Sequence, residues 1–189
     1  METDGRQVKT GASGAAFGTR ILGIDPGYAI LGYGVIDYQA NRYRLVDCGV
    51  LTTDKDLPQP ARLKSLYSGL TDLILMLEPE VAAVEELFWG SNAKTAIKVG
   101  EARGAAILAC ANCGLPVYEY TPLQIKQALS GYGRATKEQM QELVRRVLGL
   151  QEAPRPDDAA DAAAAAICHA NSSVSLNRIE QAVGRAVLR

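Results

Sequence analysis

Between residues 20 and 53 the apolar positions fall into three runs, 20–25 ("RILGID"), 30–38 ("ILGYGVIDY") and 42–53 ("RYRLVDCGVLTT"), parted only by "PGYA" and "QAN". Runs rich in Ile, Leu, Val and Tyr with short links of turn-forming residues predict three strands in an antiparallel meander. Beyond the breaker at Pro58 and Pro60 the spacing changes to three and four. Leu63, Leu66, Tyr67, Leu70, Leu73, Ile74 and Leu77 predict an amphipathic helix packed on the sheet, ended by Pro79. The stretch 80–88, "EVAAVEELF", is nearly continuous in apolar residues before two acids, as in a buried strand of a parallel pair. A helix rich in Ala and Gly follows over 92–114 and stops at Gly114. "LPVYEY" (115–120) predicts a fifth strand, 122–131 a short helix, and "GYGRA" a mobile basic turn. Thr136 and Gln139 form a capping box opening a helix over 137–150. After "APRP", the alanine-dense 157–170 is a strong helix former.

Three meandering strands followed by alternating helices and strands predict an α/β fold: a five-stranded mixed sheet with crossover strands and helices on both faces. A chain of 189 residues, 48% of them hydrophobic, suits one domain. We place that domain at 20–171, with 1–19 as a flexible extension and 172–189 as a weakly basic C-terminal segment carrying Arg178, Arg185 and Arg189. The first 19 residues lack the apolar core of a signal peptide, and no run reaches the ~18 apolar residues of a membrane span, so the expected location is the cytoplasm. A formal charge of −1 gives no global attraction to nucleic acid, and any DNA contact must use a local basic patch. Cys110-Ala-Asn-Cys113 has knuckle spacing, but no second pair follows and the only histidine, His169, is remote. With Cys48 and Cys168 these cysteines read as small buried thiols.

The chemistry on offer is acidic. Asp25 ends the first strand in "LGIDPG", where Asp-Pro-Gly by itself is the composition of a turn. Glu85 or Glu86 ends the fourth strand, which a crossover connection returns beside the first. Alternate residues of a strand face opposite ways, so only one of these two shares the direction of Asp25. The last helix adds Asp157, Asp158 and Asp161, and Asp161 shares a helix face with either of the others. Acids in a first turn also suit the helix dipole, which accounts for one or two of the three. Four carboxylates in one pocket raise one another's pKa unless cations sit between them, and Mg²⁺ is the natural cation for oxygen ligands. Two such ions would support phosphodiester hydrolysis without histidine or cysteine.

Four blocks, in order, are similar to the RuvC family of Holliday-junction resolvases, whose fold is ribonuclease H-like. They are "LGIDPG" with "GYGV", "VEELFWGSNAKTAIKVGEARGAA", "LPVYEY" with "IKQALSGYGRATKEQMQ", and "DDAADAAAAAICH". The resemblance implies catalytic, metal-holding acids at Asp25, Glu85, Asp158 and Asp161, the position of Asp158 being a histidine in some members. It also implies a base-stacking aromatic at Phe88, with Trp89 as its neighbour, an adjoining Asn92, and lysines at Lys126 and Lys137 near the scissile phosphate. The chain departs from the family in its long N-terminal extension, in Leu31 where Thr is frequent, and in Ser91 where a basic residue is frequent.

The activity implied is that of a homodimeric Mg²⁺-dependent endonuclease, with Mn²⁺ as a substitute ion. It would nick two strands of a four-way DNA junction symmetrically, in recombination and repair, working with the RuvA–RuvB branch-migration complex. The small residues of 92–110 are the candidate for part of the dimer interface. Three competitors remain: a YqgF-like nuclease acting on RNA, a small-molecule kinase or actin-like nucleotide binder, and a non-catalytic junction-binding module. The block from Phe88 to Gly104 and the paired late acids stand against the first. The chain is short for the second, and the complete acid set opposes the third.

Overall fold

A computed structural model describes residues 18–87 and 93–187, with side chains over 18–87 and 95–172. The elements run β1 (Thr19–Asp25), β2 (Ile30–Gln39), β3 (Arg42–Thr52), α1 (Gln59–Leu77), β4 (Val81–Glu85), α2 (Ala93–Asn112), β5 (Val117–Tyr120), α3 (Pro122–Ser130), α4 (Lys137–Val147) and α5 (Asp157–Val187). They build one five-stranded sheet in the order β3-β2-β1-β4-β5. β1–β2 and β2–β3 are antiparallel, as short links require, and β1–β4 and β4–β5 are parallel, joined through helices.

β1 and β4 are central, so each face of each strand needs a cover. Leu22, Ile24, Val35, Ala82 and Val84 pack under α1 and α2, against Leu66, Leu70, Ala102 and Ala106. Ile21, Ile36, Val81 and Ala83 face the other way, onto Ala163–Ile167 of α5, with Ile125 of α3 and Met140 and Val144 of α4 beyond. The near-continuous apolar runs of β1 and β4 follow from this two-sided burial.

α5 lies unusually close to the sheet. A Cβ placed on Gly23 would stand 1.9 Å from the carbonyl oxygen of Ala162, and one on Gly32 would stand 2.0 Å from that of Asp158. Glycine on the strands and alanine on the helix therefore belong together: they let the helix backbone rest almost directly on β1 and β2. That approach brings the acidic first turn of α5 down onto the C-terminal end of β1.

The observed boundaries differ from the periodic reading in a few places. Pro58 is the N-cap of α1 and Pro60 lies in its first turn, so these prolines open the helix and do not merely precede it. Proline's fixed φ and missing N–H suit that position. β4 ends at Glu85, three residues short of the apolar run, and α4 ends at Val147. The α5 backbone continues to Val187. Thr121 and Gln124 form a second capping box at the start of α3, equivalent to the one at Thr136 and Gln139.

Candidate active site

Strand register settles which glutamate meets Asp25. Ile24 pairs with Val84 across the parallel β1–β4 ladder, so the next step sets Asp25 beside Glu85 at two adjacent strand ends. Ile21 on β1 and Val81 and Ala83 on β4 face α5, and the period of two carries Asp25 and Glu85 to that same face. Glu86 falls out of phase, and its backbone N–H donates to the carbonyl of Tyr120 at 2.8 Å.

The other two acids arrive from α5. Asp158 and Asp161 lie one turn apart at its start, and both act on Asp25 through their negative charge. Burial is the largest influence on Asp25, whose carboxyl is pushed up to about 7, with Asp161 and Asp158 adding to the shift and Lys137 opposing it. Glu85 is pushed up to about 8, first by burial and then by the charges of Asp25 and Asp161, with Lys126 and Lys137 opposing. Burial also raises Asp161, against the pull of Lys137. Without a cation, this pocket therefore retains protons near neutrality.

Two lysines bound the acids. Lys137, the first residue of α4 after the Thr136 cap, places Nζ 3.2 Å from Asp157 Oδ2 and 3.4 Å from Asp161 Oδ2. Burial lowers the Lys137 pKa, but Asp161 and Asp157 outweigh it and the net direction is upward. Lys126, on α3, is near enough for its charge to act on Glu85. Sequence reasoning did not anticipate Asp157 as a partner of Lys137, because the two lie 20 residues apart with the α4–α5 loop between them. Phe88, Trp89, Ser91 and Asn92 lie outside the described residues.

The donor set suits a hard divalent cation: oxygen ligands only, buried and crowded enough to push Asp25 up to about 7 and Glu85 up to about 8. Among the described residues, no three of His, Cys, Asp and Glu already stand at metal-holding spacing. The ammonium of Lys137 sits 3.4 Å from Asp161 Oδ2. The four thiols are unpaired, and burial pushes Cys48 and Cys168 up to about 11 and Cys110 up to about 12. Those three stay protonated at neutral pH and offer no thiolate there.

A sheet of this order, with acids on neighbouring strand ends beneath an acidic helix, is the ribonuclease H-like arrangement. The model of the family described as crossover junction endodeoxyribonuclease RuvC matches residues 21–169, and the chain belongs to that family. It is 58% identical over 159 residues to the crossover junction endodeoxyribonuclease RuvC of Chloroflexus aggregans, covering 84% of this chain and 97% of that one. Against the corresponding protein of Caldanaerobacter subterraneus subsp. tengcongensis the identity is 53% over 160 residues, covering 85% and 97%. Among solved structures, T. thermophilus RuvC in complex with Holliday junction substrate superposes with a TM-score of 0.78 at 41% identity, covering 82% of this chain and 94% of that chain. No helix among the described residues is long and apolar enough to cross a membrane.

Proposed function

We propose that this protein resolves four-way DNA junctions by hydrolysing one phosphodiester in each of two opposed strands, as a homodimer. The observation that carries this reading is the meeting of Asp25 and Glu85 on adjacent strand ends, facing Asp158 and Asp161 across the sheet-to-helix gap. Such a pocket, in a chain of this family, is built for phosphoryl oxygen chemistry. Asp25, Glu85, Asp158 and Asp161 would hold two Mg²⁺ ions, replaceable by Mn²⁺. Bound there, the ions would supply water activation and charge stabilisation at the leaving oxygen.

The remaining work falls to the chain's own groups. Lys137 is held at the pocket by Asp157 and Asp161, and Lys126 adds a second positive charge on the Glu85 side. Both would attract the scissile phosphate and oppose its growing negative charge. Phe88 would stack on a base at the junction and Asn92 would support that contact; base–aromatic stacking is worth ~1–3 kcal/mol per base. A twofold-symmetric pair of sites matches a substrate with two equivalent strands. Handover from a RuvA–RuvB branch-migration complex completes the proposal.

The test is a nicking assay on synthetic four-way junctions, linear duplex and structured RNA, with Mg²⁺ or with EDTA. Paired, religatable nicks on the junction that require the metal support the reading. Junction binding without metal-dependent nicking would refute the enzymatic claim, and preferential RNA cutting would favour a YqgF-like activity.

A further inference from the structure

The acids face α5, yet the opposite side of the same sheet end carries a cationic cluster that the proposed chemistry does not use. Tyr28 lies in the β1–β2 loop, three residues beyond Asp25, and packs against the α1/α2 core. Two cations from two helices meet its ring. The guanidinium carbon of Arg62, in the first turns of α1, is 4.0 Å from the ring centroid, and the ammonium of Lys98, in the first turns of α2, is 5.6 Å from it. Arg62 is fixed further: Nε donates to Thr53 Oγ1 at 2.9 Å and Nη2 to the Tyr28 carbonyl at 3.5 Å, while Thr53 Oγ1 donates to that same carbonyl at 2.8 Å.

Among the described residues no carboxylate lies within ion-pair distance of Arg62 or Lys98, and Arg62 Nη1 has no hydrogen bond. Of the nearby acids, Asp54 accepts from the Asp56 N–H and Glu101 from Gln59. Two like charges drawn to one ring repel each other unless the ring and a further anion offset the repulsion. The ring is present, and an anion would complete the arrangement.

We propose that Tyr28, Arg62 and Lys98 form a second phosphate-binding site, holding the DNA backbone on the α1/α2 side of the sheet end while the scissile phosphate lies at the acids. This inference rests on the junction-resolving reading and specifies how that substrate is held. The topology supports it: the ends of β1 and β4, the starts of α1 and α2 and the Tyr28 loop all lie at one end of the sheet. Lys126 and Lys137 flank the acids on the α5 side, so a strand laid across this end meets fixed positive charge on both sides. Arg62, held by Thr53 and by the loop carbonyl, is pre-ordered for the forked donation that phosphate oxygens accept.

The test is the salt dependence of binding to a synthetic four-way junction in EDTA, where no cutting intervenes. Each phosphate contact contributes a slope of about −0.9 in log K against log salt. Lys98→Gln is expected to reduce the magnitude of that slope by about one and to weaken binding several-fold. Lys64→Gln, two residues from Arg62 and so on the far side of α1, should leave the slope as it was. Tyr28→Leu should weaken binding while the slope falls by less than one, since it removes the ring and not a charge. An unchanged slope for Lys98→Gln, with the unaltered protein still binding junctions, would overturn this site and leave the functional reading standing. Failure of the unaltered protein to bind junctions would overturn both.

Discussion

Replacing Asp25 by asparagine should make the metal-free protein more stable while abolishing its nuclease activity. In the folded chain, burial and the charges of Asp161 and Asp158 push the Asp25 carboxyl from an ordinary 3.8 up to about 7. That gap is about three pKa units, and at 1.36 kcal/mol per unit it corresponds to ~4 kcal/mol of strain once the group is forced to ionise. The folded state binds the proton more tightly than the unfolded chain, so stability falls as pH rises from about 4 through about 7 and the full penalty is present above that. An amide of the same shape removes the charge but remains a buried polar group, so we take the net gain as ~2–4 kcal/mol at about pH 8. For a chain of this size that raises the melting temperature by roughly 5–12 °C. Asparagine also relieves Glu85, which feels the charge of Asp25 directly.

Thermal melts of both proteins in EDTA, at about pH 8 and about pH 4, measure this. The variant should melt higher at the alkaline pH and together with the unaltered protein at the acidic one. Mg²⁺ should raise the melting temperature of the unaltered protein more than that of the variant, because a bound ion stabilises only the state that holds it. A variant that melts no higher at about pH 8, or that gains equally at both pH values, would refute the crowding of charge at this pocket.

Other perturbations separate the parts of the structure. Gly32→Ala drives a methyl group to within 2.0 Å of the Asp158 carbonyl oxygen, so α5 must lift from β2. A loss of ~1–3 kcal/mol in chemical denaturation, together with lost nicking, is expected, whereas a neutral result would show that α5 does not rest on the strands as described. Lys137→Gln removes the cation 3.4 Å from Asp161 and should cut single-turnover nicking by at least tenfold while junction affinity falls only a few-fold; equal loss of both would make it a binding residue alone. Asp37 is buried on β2 and takes Arg20 Nε at 2.8 Å as well as Arg44, so Asp37→Ala removes the carboxylate that both guanidiniums hold. Arg20 is 31% exposed and water recovers part of the loss, so ~2–3 kcal/mol of destabilisation should appear in urea melts, with the metal response unchanged.

Much of this protein was legible along the chain because its elements are locally consistent. The meander, the two crossover helices and the Thr136 capping box each have a short-range physical cause, and each appears where the period and the turn residues place it. The alanine run of α5 was equally plain as a helix. Its purpose was not, since only contact with Gly23 and Gly32 on two strands far away in sequence explains why that helix needs so small a surface.

The acids divide in the same way. Position at a strand end marked Asp25, and spacing put Asp161 on a helix face with either Asp157 or Asp158, but residue pattern alone left those two, and Glu85 and Glu86, equivalent; the family resemblance favoured Asp158 and Glu85, and the pairing of Ile24 with Val84 gives the physical phase for Glu85. The Lys137–Asp157 pair and the Tyr28–Arg62–Lys98 cluster left no trace in periodicity, because each joins elements whose separation along the chain says nothing about their distance in space. Sequence determined the strands and helices, because backbone geometry and burial of one face act over a few residues. Tertiary structure decided which charges meet, because strand register and the height of α5 above the sheet arise only when distant segments pack.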